Sequence, residues 1–153
     1  MNKLIKDLIK DYQDIKSKKS DYFYWSPKNK TVFYKDIESE SDKWSFLHEY
    51  GHALLEHQDF NTDFELLQLE ISAWEKAKSI SKKYKVEIDE DYLQNCLDSY
   101  RDWLYLRSTC PSCSNTSLQL DIQTYSCFNC NEVWTVTKSR KKRCYRKKVY
   151  SIK

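Results

Sequence analysis

His48-Glu49-Tyr50-Gly51-His52 is the stretch on which the reading of this chain turns. Its histidines stand four residues apart, so on a helix both imidazoles lie on one face and can reach one metal ion. Glu49, beside the first histidine, is placed to take a proton from a zinc-bound water. The chain holds only three histidines in 153 residues. In shuffled chains of this composition the HExxH pattern would arise in roughly a few of a thousand. The spacing predicts a helix from near Ser41 or Asp42 to about His57. Gly51, the only glycine of the chain, falls inside it at a cost of about 1 kcal/mol against alanine. A close approach of another backbone at this turn accounts for its presence.

Two histidines and a water leave a zinc site one protein ligand short. Downstream candidates are His57, Glu65, Glu70 and Glu75. Thr62-Asp63-Phe64-Glu65 reads as a capping box, which occupies Glu65 and starts a helix running to about Tyr84. On that helix Leu66, Glu70, Ala73, Ala77, Ile80 and Tyr84 share a face, so Glu70 stands within an apolar stripe. A buried carboxylate there needs a partner or a metal. Glu75 shares a polar face with Gln68, Ser72 and Ser79. His57 follows His52 by five residues, which turns a continuing helix about 140° away from the metal. Glu70 is therefore the expected third ligand, beside His48 and His52.

The rest of the chain follows from pattern and composition. Leu4, Ile5, Leu8, Ile9, Tyr12 and Ile15 predict an amphipathic helix over 3–17. The β-rich runs Tyr22–Trp25 and Thr31–Tyr34 predict a hairpin around residues 26–30. Asp89 can cap a further helix reaching about Arg107. Cys110-Pro111-Ser112-Cys113 and Cys127-Phe128-Asn129-Cys130 then form a CxxC…CxxC pair with 13 residues between them. Short strands are expected at 118–122 and 133–136, so the segment reads as a zinc ribbon with a closed, structural four-thiolate site. Ser114 and Asn131 occupy the places where such knuckles commonly use glycine, which asks both for a left-handed backbone. Cys96 falls on an apolar helix face, and Cys144 has no partner by spacing.

The expected fold class is α+β: a mostly helical zincin-like domain over 1–107 with a small sheet, a β ribbon over 108–137, and an unstructured basic tail over 138–153. The net charge of +3 hides this asymmetry. Eight of the 26 Lys and Arg lie in residues 139–153 without a single acid, which leaves 18 basic against 23 acidic residues in the first 138. Arg140, Lys141, Lys142, Arg143, Arg146, Lys147 and Lys148 suit phosphate contacts by counterion release, with Tyr145 and Tyr150 able to stack on bases. The equally available reading is a solvated basic end. The N-terminus lacks the apolar core of a signal peptide, and no run is apolar enough to span a bilayer. A cytoplasmic protein without membrane contact is expected, and six cysteines then argue for metal before disulfides.

His48–His52 continued by Ala53-Leu54-Leu55-Glu56-His57 resembles the HE-x-GH-x-LL-x-H helix of the ImmA/IrrE-type metallopeptidases. Glu70-Ile71-Ser72-Ala73-Trp74 resembles their second motif, with Ser72-Ala73-Trp74 where the family often has Glu-Ala-Asp. The resemblance covers about residues 20–84. It implies a zinc peptidase with Glu70 as third ligand of one catalytic zinc, Glu49 as the catalytic base, and a regulatory protein such as a transcriptional repressor as substrate; the ribbon adds one structural zinc. An oxyanion-stabilising donor, a tyrosine by elimination of histidines, is expected with it. Two rivals share the features: a SprT-like protease acting on nucleic-acid-bound proteins, which would want a third histidine, and a non-enzymatic nucleic-acid-binding ribbon protein.

Overall fold

A computed structural model describes residues 1–150. The elements in chain order are α1 (Lys3–Asp11), β1 (Lys16–Lys19), β2 (Tyr24–Ser26), β3 (Thr31–Tyr34), α2 (Glu40–Leu54), α3 (Asp63–Ser81), a 3-10 turn (Lys82–Tyr84), α4 (Glu90–Ser108), β4 (Leu118–Asp121), β5 (Thr124–Ser126), β6 (Val133–Val136) and β7 (Arg146–Lys148). Helices and two small sheets make the fold α+β, as the periodicities predict. No described helix is long and apolar enough to cross a membrane. The chain divides into two units. The first combines residues 1–59 and 68–95; the second combines 60–67 with the chain from Cys96 onward. The boundary expected at 107/108 is therefore displaced, because the second half of α4 belongs with the ribbon.

In the first unit the sheet runs β1-β3-β2, with β2 antiparallel and β1 parallel to the central β3. The hairpin is as expected, closed at Ser26 and Thr31. The helix expected over 3–17 ends at Asp11 instead. Leu4, Ile5 and Leu8 are buried, and the chain beyond Tyr12 turns into β1. Lysines suit this strand because it lies at a sheet edge, where they discourage pairing with another chain. α2 packs on the sheet through Phe46, whose ring lies 5.7 Å from Tyr34 and 5.9 Å from Phe23. Tyr50 Oη, 2.7 Å from Ser17 Oγ, ties α2 to β1.

The start of α2 is a complete capping box. The amide of Asp42 donates to Ser39 Oγ, and Ser39's own amide donates to Asp42 Oδ2. Its end departs from expectation. The helix stops at Leu54. Glu56 takes a left-handed backbone (φ 53°), its amide donates to Ala53 O, and the amide of His57 donates to His52 O. This is a Schellman turn, built here on a glutamate where glycine is usual. It brings His57 back beside the helix, so the 140° argument, which assumed a continuing helix, fails.

In the second unit the sheet runs β4-β5-β6-β7, every neighbouring pair antiparallel. Tyr125 and Trp134, buried and stacked at 5.7 Å, form its core with Val136 and the cysteines. The expectation of an unstructured tail from residue 138 is corrected here. Arg146, Lys147 and Lys148 pair with Val136, Thr135 and Trp134 as the outermost strand. Arg146 donates to Thr109 O at 2.7 Å, and the Arg140 guanidinium lies 3.8 Å over the Tyr100 ring. Arg143 lies 5.3 Å over Tyr145. The backbone of β6 offers a free edge, and the basic segment completes it; residues 151–153 lie outside the described chain.

Candidate metal centre

His48 and His52 project from one face of α2 with their Nε2 atoms 3.1 Å apart. Glu70 reaches them from α3, with Oε2 3.0 Å from His48 Nε2 and Oε1 3.3 Å from His52 Nε2. All three residues are under a tenth exposed, at 7%, 9% and 7%. A tetrahedral ion bonded to N and O at 2.0–2.2 Å has ligand-to-ligand edges of about 3.3–3.6 Å. The observed spacings lie close to that figure. Three potential ligand atoms converge within reach of one point, as a single cation would require. The residues fit a divalent metal held by His48, His52 and Glu70.

Gly51 is what lets α3 come this close. A Cβ at that position would stand 2.3 Å from the carbonyl oxygen of Ala73, three residues beyond Glu70. The glycine read as a close approach is one. The stripe argument holds as well: Ala73, Ala77 and Ile80 are buried beside Glu70. Glu65 is spent on its capping box, accepting from the amides of Asn61 and Thr62. His57 is not a ligand. Its Nδ1 lies 2.8 Å from His52 Nδ1, and its Nε2 lies 3.2 Å from Ser72 Oγ. Trp74 stacks on the His48 ring at 4.3 Å. His48 Nδ1 has no hydrogen-bond partner among the described residues.

Glu49, next to His48 on α2, lies against β2 and close enough to His48, His52 and Glu70 to feel their charges. Its Oε2 accepts from the backbone amide of Trp25 at 2.7 Å, while the Trp25 indole donates to His57 O at 2.8 Å. Burial pushes the Glu49 carboxyl above its usual range, partly offset by the neighbouring His48 and His52 and by the Trp25 amide. For Glu70 burial acts in the same upward direction, but the hydrogen bonds and charges of His48 and His52 outweigh it and hold the carboxyl well below its usual range. The two glutamates are thus driven in opposite directions, Glu70 toward the ionised carboxylate and Glu49 toward the protonated acid. Tyr50 and Tyr92 pack near this core, but their hydroxyls engage Ser17 and Ser45. The expected oxyanion tyrosine is not assigned by these contacts.

His52 carries a pH dependence. Burial lowers its affinity for a proton, yet Glu70 and Glu49 reverse this and raise its pKa above 6.5. A proton on Nε2 competes with a metal for the same lone pair. Affinity for a divalent metal at these residues should therefore fall about tenfold per unit as pH drops below the raised His52 value, with Glu70 still ionised. Chelator competition between about pH 8 and pH 6 measures it. A flat affinity over that range would remove His52 from the ligand set.

Cys110, Cys113, Cys127 and Cys130 converge in the second unit. Cys110 Sγ lies 3.6 Å from Cys130 Sγ, and Cys113 Sγ 3.5 Å from Cys127 Sγ. These are far longer than a disulfide and near the edge of about 3.8 Å for a tetrahedral ion with sulfur at 2.3 Å. Hydrogen bonds from the Asn115 side chain and backbone and from Asn129 bring the Cys113 thiol down to about 6, toward the thiolate that a metal needs. Ser114 and Asn131 both adopt left-handed backbones, at φ 63° and 61°, as their knuckle positions require. Their amides donate to Cys110 O and Cys127 O. Ser114→Gly should therefore stabilise the protein by about 1 kcal/mol, since serine pays for this conformation and glycine does not. A melting temperature that falls would contradict the strain argument.

No protein-family model, curated protein or solved structure matches this chain.

Proposed function

We propose that this chain is a zinc-dependent metallopeptidase of the ImmA/IrrE type, hydrolysing peptide bonds in a protein partner. The observation that carries the reading is Glu49. Its carboxyl stands next in the chain to His48, with one oxygen pinned by the Trp25 amide. The other oxygen would then meet the attacking water. A bound zinc ion would polarise the scissile carbonyl and make a water acidic near neutrality. His48, His52 and Glu70 would hold that ion, and Cys110, Cys113, Cys127 and Cys130 would hold a second, structural one. Glu49 accepts the proton of the attacking water and returns it to the departing amine. Burial makes the Glu49 carboxyl hold a proton more readily than an exposed one, which suits the step that carries it to the amine.

A regulatory protein such as a transcriptional repressor is the proposed substrate, on the resemblance of His48–His57 and Glu70–Trp74 to that family. The SprT-like alternative wants a third histidine ligand, and His57 turns its ring to His52 and Ser72 instead. The nucleic-acid alternative keeps Lys141, Lys142, Lys147 and Lys148, while Arg140, Arg143 and Arg146 have contacts within the second unit. Salt-dependent binding of the whole protein to DNA, lost on neutralising those lysines, would support it.

The test is Glu49→Gln. It should retain two zinc ions per chain and lose about 10²–10⁴-fold in hydrolysis of a protein substrate, the range for general-base removal. A Glu49→Gln protein that cleaves at the wild-type rate overturns the mechanism.

A further inference from the structure

His57 and Ser72 lie outside the ligand set, yet they continue it. We infer that they form, with His52, a one-way hydrogen-bond relay that fixes which nitrogen of His52 faces the metal. The inference rests on the metal-binding part of the proposed function and not on peptide hydrolysis.

The protons can be counted along four groups. A metal held by His52 Nε2 takes that lone pair, which puts the proton of the neutral ring on Nδ1. His52 Nδ1 then donates to His57 Nδ1, 2.8 Å away. His57 must accept there, so its own proton sits on Nε2 and is donated to Ser72 Oγ at 3.2 Å. The Ser72 hydroxyl donates in turn to the carbonyl of Leu69 at 3.0 Å, a group that can only accept. Each N–H and O–H in the run has one acceptor, and no proton is shared or missing. If His57 instead carried its proton on Nδ1, two N–H groups would face each other across 2.8 Å.

The relay is held from behind. The His57 amide donates to His52 O, and the Trp25 indole donates to His57 O. Its backbone is therefore fixed at both ends, and the imidazole has a defined base from which to orient its neighbour. His48 has no equivalent: its Nδ1 is unpartnered among the described residues, and the Trp74 ring stacks on its imidazole instead. His57 is thus a positioning residue for one of the two histidine ligands. Partners of this kind, when removed, cost about 10–100-fold in metal affinity.

Glutamine can replace both functions of His57. Its amide oxygen accepts and its nitrogen donates, so His57→Gln should retain most of the affinity that His57→Phe loses. Ser72→Ala, which removes only the far acceptor, should fall between them. Zinc affinity is read by chelator competition with the four-cysteine site as internal reference. Alongside it, imidazole nitrogen NMR of the zinc-loaded wild-type protein reads the tautomers directly. The expected result is His52 protonated on Nδ1, His57 protonated on Nε2, and an affinity loss of about 10–100-fold in His57→Phe with rescue in His57→Gln. His57 protonated on Nδ1 overturns the relay, as does an unchanged affinity in His57→Phe. If His57→Phe fails to fold, the wild-type tautomers decide alone. A zinc-loaded protein with the expected tautomers and no peptidase activity keeps the relay and rejects the enzyme; a wild type that binds zinc only at its cysteines rejects the metal centre on which both stand.

Discussion

Gly51→Ala should break up the candidate metal centre of His48, His52 and Glu70. The added methyl would lie 2.3 Å from Ala73 O, 3.1 Å from Ala73 C and 3.3 Å from its Cα. All three are backbone atoms of α3, so no rotamer change relieves the overlap, and no substitution of the side chain at 73 can do so. α2 and α3 would have to separate by most of an ångström. Glu70 lies one turn before Ala73 and would move with it, opening edges that now measure 3.0 and 3.3 Å to His48 and His52. Overpacking a well-packed core costs about 1–3 kcal/mol and occasionally more. A clash between two helix backbones belongs at the upper end, and the gain of about 1 kcal/mol in helix propensity does not offset it. The expected outcome is a loss of about 3 kcal/mol and a fall from two bound zinc ions to one, at the cysteines. Two zincs with an unchanged melting temperature would show that the helices need not touch at this turn.

That glycine was legible because a lone helical glycine between two histidines has few explanations. Glu70 was legible for a similar reason, as a charge out of place in an apolar stripe. His57 was not. Its position depends on α2 ending at Leu54, and the signal for such an end is glycine at the left-handed position. Here that position is Glu56, which reads as one more helical residue. β1 and β7 escaped for a different reason. Lys16-Ser17-Lys18-Lys19 and Arg146-Lys147-Lys148 carry no apolar alternation, because each lies at the edge of its sheet and buries little. The displaced unit boundary has the same origin as another omission. Arg107 and Asp63 stand at helix ends with nothing in their neighbours to pair them, although both are buried.

Arg107→Ala should be the most damaging change in the second unit. Arg107 and Asp63 are each 1% exposed. The guanidinium donates from Nε to Asp63 Oδ2 at 2.6 Å and from Nη2 to Oδ1 at 3.3 Å, a two-pronged pair. Its remaining donors satisfy Ile122 O at 3.0 Å and Thr137 O, and the Trp103 ring lies 4.5 Å from it. Tyr125 Oη donates to the same carboxylate at 2.6 Å. The network therefore joins the first turn of α3, the end of α4 and the ribbon sheet, all within this unit. Truncating Arg107 leaves a buried carboxylate with only a phenol to neutralise it and two carbonyls without donors. The expected cost is about 3–5 kcal/mol. Removing both charges distinguishes this from lost packing. Arg107→Met with Asp63→Leu deletes the buried charge altogether, and Tyr125 Oη can turn to Gln119 Oε1, 3.3 Å away. The double variant should therefore be more stable than Arg107→Met alone, because replacing a buried ion pair by apolar groups is often neutral while breaking it is not. Thermal melts under zinc chelation make the comparison, since bound metal would raise every variant. If the double variant is less stable than Arg107→Met, the unpaired Asp63 carboxylate is not what the truncation costs, and the loss lies in the carbonyls of Ile122 and Thr137 and the Trp103 contact.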